Sequence, residues 1–199
     1  MTERSTIVRS LHDLGLAIWF GGSLMGSVGL NGAAEEVGGP PSRDPDQATS
    51  EVQAPMGAKI ASTGWRKWTP YNAGAIVVHL VGGAALLRDN ADRVRNQQGV
   101  TTSTVVKTVV TGAALAATAY TRILGKKVEL ATSEDKEDRV RAEEHPISLE
   151  QAQRQLRLVQ WSVPALTGAL VVLNALHGEQ QRPSVQGLGR LQKVMSRRQ

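Results

Sequence analysis

Three histidines, His12, His79 and His177, are the residues of this chain best suited to chemistry. Neutral imidazoles can hold haem iron, copper or zinc. All three lie in or beside stretches without acidic or basic side chains, where an ionisable group is costly and often functional. If the helices that carry them stand antiparallel, the start of the first and the end of the fourth share a membrane face, so His12 and His177 can approach each other. His79 lies roughly 13 Å deeper than Arg88 on a helix rising 1.5 Å per residue. Gly82 and Gly83, one turn further on, leave room for a flat ligand or for another helix. No pair shows metal spacing such as HxxxH, and His12 and His177 fall at interfaces, where an imidazole needs no ligand. Asp13 follows His12, yet adjacent helical residues do not share a face. An acid near the positive end of the helix dipole is the plainer account. Asn174, just before His177, is placed for a hydrogen bond between helices.

The elements that must position these groups are four charge-free runs: Leu14 to Ala34, Trp68 to Leu87, Thr108 to Thr121, and Leu158 to His177. A bilayer core about 30 Å thick takes roughly 20 helical residues to cross. Three runs reach that length, and the third does so if Lys107 and Arg122 snorkel, with their stems along the helix and their charges among the headgroups. The expectation is an all-α protein, a four-helix transmembrane bundle in one domain, with spans near 11–31, 69–88, 104–124 and 158–178.

Between the spans the chain is polar. Residues 38–50 are rich in Gly, Pro, Ser and Asp and read as flexible, as does the basic tail 183–199. Met56, Ile60, Trp65 and Trp68 fall close to one helical face, which suggests an interfacial helix before span two. Trp65, Arg66, Lys67 and Trp68 look like headgroup anchors for that span. Ser148 to Gln151 fits a capping box, and the helix it starts can run into span four through Pro164, whose freed carbonyl needs a donor from a neighbour or water. Arg4 and Arg9 before an apolar stretch, with Gly32-Ala33-Ala34 beyond it, imitate a cleavable signal. Asp13 and the length of the stretch favour a retained span.

Composition supports lipid as the solvent. Aromatics make up 4 % of the chain, with a single Phe, whereas soluble cores draw heavily on aromatic volume. Gly, Ala and Val fill the runs instead, which suits helices whose backbones approach closely. Gly22 and Gly26 form a GxxxG pattern, and Gly112 with Ala116 repeats the spacing, so these are the expected packing positions. The mean hydropathy of −0.21 averages modest spans with long polar loops and keeps a soluble helical bundle as an alternative. There is no cysteine, which removes disulfides, thiolate metal sites and cysteine nucleophiles. The net charge of +5 forms no basic stripe interleaved with aromatics, so nucleic acid is not an expected partner. No GxSxG or GxxxxGK[ST] sequence is present, and nothing marks an enzyme.

Leu11-His12 followed by Ala17-Ile18-Trp19-Phe20-Gly21-Gly22 resembles the opening helix of copper-resistance D-type membrane proteins. The Met-rich copper sites that this likeness would imply are missing, so copper handling is not carried over. With Gly64-Trp65-Arg66-Lys67-Trp68-Thr69-Pro70, His79-Leu80-Val81-Gly82-Gly83 and Gly178-Glu179-Gln180-Gln181-Arg182-Pro183, most of the chain resembles four-span membrane proteins of actinobacteria. That resemblance implies a fold and a bacterial plasma membrane but no activity. The expected function is a non-catalytic membrane component that packs on a second copy or on another membrane protein. The alternative is a redox protein that binds haem or a metal ion through His79 with His12 or His177. Positive charge in the short segments favours cytoplasmic termini.

Overall fold

The computed structural model describes residues 3–39, 48–91 and 98–180, with side chains for 6–39, 56–91 and 101–176. Every regular element among the described residues is helical, in keeping with the all-α expectation. Helix α1 (Glu3–Met25) passes through a π turn (Gly26–Leu30) into α2 (Asn31–Gly38). Helices α3 (Ala48–Asp89) and α4 (Gln98–Ala131) follow. Then come α5 (Lys136–Glu144), α6 (Leu149–Val159) and α7 (Ser162–Gln180). Thr6–Gly38, Met56–Asp89 and Leu149–Leu176 are long and apolar enough to cross a membrane. Helix α4 is not among these stretches. Its charge-free run is bounded by Lys107 and Arg122 and carries four threonines, Thr108, Thr111, Thr118 and Thr121, which lower its apolar character.

Two boundaries differ from the sequence reading. The interfacial helix expected before span two is not a separate element, because α3 runs unbroken from Ala48 to Asp89. Within it Pro70 is exposed, so the proline removes one helical donor without breaking the helix. Of the stretch 38–50 expected to be flexible, Gly38 belongs to α2 and residues 48–50 to α3. The rest of that stretch, apart from Gly39, lies outside the described residues, as does the tail 183–199. Ser148 does cap α6, accepting from the Gln151 backbone N–H at 3.2 Å.

Helices α1, α3, α4 and α7 close into a ring in which each packs chiefly on two neighbours. Their shared core is Leu16, Trp19, Ala114, Val163 and Leu170, with Ile76 and Val110 packed against it. The tightest side of the ring is the antiparallel pair α1–α3. His12, Gly15, Trp19, Gly22 and Gly26 recur at alternating steps of three and four, which keeps them on one face. A Cβ at Gly15 would lie 2.6 Å from the Ala75 carbonyl oxygen, so here the two backbones are themselves in contact. At Gly22 and Gly26 the space is filled by the indoles of Trp68 and Trp65.

Beyond Gly26 the contacts with α3 continue at four-residue steps through Leu30, over Gly64, and Ala34, over Gly57. A straight α-helix of 3.6 residues per turn would drift about 40° at each such step. The π turn takes up one extra residue and keeps the face aligned with α3.

The end of the molecule remote from Asp89 is built on charge. Leu124, Val128 and Ala152 form a second small core between α4 and α6, and buried Lys127 donates to the Ala142 carbonyl of α5. Glu129 accepts from Arg122 at 3.1 Å and from Lys126 at 2.8 Å. Partial burial alone would raise the Glu129 carboxyl, but the hydrogen bonds and charges of Lys126 and Arg122 outweigh it and hold the group below its ordinary range.

Gly15→Leu must push backbone from backbone and should lower stability by about 3 kcal/mol. Gly112→Leu, with nothing of its own chain within 4 Å of the new Cβ, should melt like wild type as a monomer in detergent. Because its folded-state pKa is depressed, Glu129 stabilises the fold above the ordinary carboxylate range, and that contribution is lost as pH falls through the folded value. Glu129→Gln should therefore unfold about 1 kcal/mol more easily at neutral pH, with the gap closing on acidification; an unchanging gap in a pH series would contradict the linkage.

Candidate functional site

His12 and His79 meet, from sequence positions far apart, at the close crossing of α1 and α3. His12 Nδ1 donates to the His79 carbonyl at 2.7 Å, and His79 Nδ1 donates to the His12 carbonyl at 3.1 Å. The rings stack with centroids 4.0 Å apart and planes 18° from parallel. Trp19 meets the His79 ring edge-on with centroids 6.1 Å apart. Because carbonyl oxygen only accepts, each Nδ1 must carry a proton and each neutral ring keeps its lone pair on Nε2.

Glycine makes the arrangement possible on both helices. A Cβ on Gly15 would stand 2.7 Å from the His79 nitrogen, and one on Gly82 would stand 2.8 Å from the His12 Cβ. Gly83 faces the His12 ring, with its notional Cβ 3.1 Å from Cε1. The room that Gly82 and Gly83 leave is thus taken by another helix.

This geometry bears on what the histidines can hold. Porphyrin between two axial imidazoles needs the rings apart, whereas these are in face-to-face contact. A metal ion shared by both would sit about 2 Å from each Nε2, in the plane of each ring. Two nearly parallel planes 4.0 Å apart have no such common point. Among the described residues no group of three His, Asp or Glu side chains could hold a metal ion. The His177 side chain lies outside the described residues. From α7 it is Asn174 that reaches α1, donating to Asp13 Oδ1 at 3.2 Å. Asp13 therefore serves the α1–α7 contact and makes none with the ring of His12.

A second polar cluster closes the other end of the ring. Pro164 has no N–H, so the Gln160 carbonyl lacks its helical donor. Ser27, on the π turn of α1, donates its hydroxyl to that carbonyl at 3.4 Å. Asn31 donates to the Gln160 side chain and accepts from the Trp65 indole N–H at 2.8 Å. Trp65 and Trp68 are turned onto α1 over Gly26 and Gly22, while Arg66 and Lys67 between them are exposed. In the middle of the ring the buried Trp19 indole donates to Thr118 at 3.2 Å, and Thr118 donates to its own helix at Ala114.

Of the two small-residue motifs, Gly22 and Gly26 lie inside the α1–α3 contact, while Gly112 and Ala116 are exposed on α4. Sequence reasoning passed over Asn72, Ser27 and Thr118. Asn72 Oδ1 and Trp68 Nε1 are buried without a partner among the described residues. The signal was available in Trp65, Trp68, Asn72, Ala75, His79 and Gly82, whose spacing of three and four marks the face of α3 that meets α1.

Comparison with models of protein families, with curated proteins and with solved structures returns no match.

The reciprocal bonds and the stacking can be separated by substitution. His79→Phe keeps a ring and loses the N–H donor, which should cost about 1 kcal/mol. His79→Ala also opens a cavity and should cost about 3 kcal/mol. Melting in detergent should rank wild type above His79→Phe and that above His79→Ala. Identical curves for wild type and His79→Phe would remove the hydrogen bonds from the account.

Proposed function

We propose that the chain is an integral membrane protein of four spans, α1, α3, α4 and α7, and that it acts as a non-catalytic component of a bacterial plasma membrane. The observation that carries this reading is the outer surface of the ring. Val77, Val81, Val109 and Val172 are each more than half exposed, and Leu14, Met25, Leu87 and Leu176 join them on the same helices. Proteins dissolved in water rarely expose so many large apolar side chains along their main helices, whereas lipid favours them. The soluble-bundle alternative would leave these side chains in water.

Helix α4 is the span that needs an argument. Its threonines lower its hydropathy, but Thr108 and Thr118 donate to carbonyls one turn back in α4 and Thr121 to one three residues back, so these hydroxyls do not enter lipid unpaired. Lys107 and Arg122 bound the charge-free run at either end, with side chains long enough to reach headgroups. Four crossings place both termini on one side, and the short basic segments favour the cytoplasm for that side.

The histidines take a structural role in this reading, since each Nδ1 is committed to a carbonyl across the seam. Exposed Gly112 and Ala116 supply the small-residue face on which a second copy or another membrane protein packs.

Alkaline carbonate should leave the chain in the membrane pellet, and only detergent should release it. Because the chain has no cysteine, single reporters are clean. Four spans predict that Asp89→Cys and Lys136→Cys react with an impermeant maleimide from opposite sides of sealed vesicles. Labelling of both from one side would show that α4 does not cross.

A further inference from the structure

We propose that the outer face of α6, with the first residues of the turn into α7, is a docking surface for the phosphate headgroups of anionic phospholipids. The inner face of α6 is spent on the fold: Leu149, Ala152 and Leu156 pack against α4. The opposite face carries Arg154, Arg157, Leu158 and Trp161 at helical spacing, all exposed. Leu158 is 76 % exposed and Trp161 47 %, although both are large and apolar. Neither side chain is needed by the core, and water is a poor solvent for either.

The charges point the same way. Among the described residues, Arg154 and Arg157 are in no ion pair. The neighbouring carboxylate on α4, Glu129, already serves Arg122 and Lys126. Glu150, one turn before Arg154, is exposed and makes no ion pair with it among the described residues. The surface is therefore cationic with an aromatic and aliphatic edge. Height decides which anion fits. Trp161 stands at the start of α7, and Arg157 lies about 6 Å and Arg154 about 10 Å further out at 1.5 Å per residue. Headgroups occupy roughly 5 to 8 Å outside the hydrocarbon. A guanidinium on a long apolar stem reaches that layer from either position, and its planar fork matches a phosphate. Acyl chain against Leu158 and Trp161, with phosphate against the arginines, is the arrangement these four side chains fit.

The inference rests on the membrane reading, and its test separates the two. The full chain is reconstituted with phosphatidylcholine containing a minor fraction of phosphatidylglycerol, and the lipids retained in mild detergent are weighed by native mass spectrometry. Wild type should retain phosphatidylglycerol above its bulk fraction. A cation near an anionic surface is worth about fivefold in partition, so R154Q/R157Q should lose at least fivefold of that enrichment while melting normally. R66Q/K67Q, on α3, should keep most of it. Retention unchanged in R154Q/R157Q, an equal loss in R66Q/K67Q, or wild type no richer than bulk would each overturn the site. So would binding of an oligoglutamate peptide that R154Q/R157Q abolishes while lipid retention stays unchanged, since that indicates a protein partner. A chain that carbonate strips from vesicles refutes the membrane reading itself; a chain that stays but shows no preference refutes only the headgroup surface.

Discussion

His12 and His79 can each reach the carbonyl of the other only because no side chain stands at Gly15 or Gly82. That double approach sets the distance between α1 and α3, and much else depends on it. With the backbones this close, Trp65 and Trp68 have no room beside α1 except over Gly26 and Gly22. Trp65 so placed presents its N–H to Asn31, and Asn31 in turn holds the side chain of Gln160 at the break between α6 and α7. A contact near one end of the ring thus positions a joint near the other through a row of glycines. In lipid, where apolar surface gives helices little reason to associate, close packing and hydrogen bonds of this kind must supply most of the cohesion.

Polar groups inside the ring are few and mostly paired across helices. Ser27 supplies the donor that Pro164 removes, Thr118 receives the Trp19 indole, and Asn174 reaches Asp13. They join α1 and its π turn to α4, to α7 or to the turn that leads into α7, elements that it meets less extensively than α3. Single hydrogen bonds of this kind link the looser sides of the ring, whereas the tight side combines glycine contact with the reciprocal histidine bonds. The protruding ends of α3 and α4 follow a different rule. There Glu129 pairs with Lys126 and Arg122 on α4, and Lys59 of α3 pairs with Glu134 in the turn after α4, as a surface in water permits.

How much of this could be read from residues alone depends on the contrast each residue makes with its surroundings. Helical class, the end of the second apolar run near residue 88 and the cap at Ser148 were legible because caps and polar loops interrupt apolar runs. The rotation of each helix was not. A helix apolar on every side carries no stripe that distinguishes neighbour from lipid, so His79 gave no sign that its partner was His12 rather than His177. Trp65 and Trp68, beside Arg66 and Lys67, carried the pattern of headgroup anchors, and only the glycines opposite show that the indoles turn inward. Gly112 and Ala116 match Gly22 and Gly26 in spacing but not in surroundings, because spacing does not say what stands across the gap.

The widened turn at Gly26–Leu30 has a consequence for how this helix can change in length. The described part of α1 before it is keyed to α3 through His12 and Gly15, and the chain from its last residue onward through Leu30 and Ala34. The two halves are out of phase by the one residue that the turn absorbs. Deleting a residue within Gly26–Leu30 would restore a regular helix yet swing one half about 100° around its axis, carrying either the imidazole or the alanine away from its glycine. A deletion that improves local regularity would thus unfasten the long-range match, so the irregular turn is the form in which both registers can coexist.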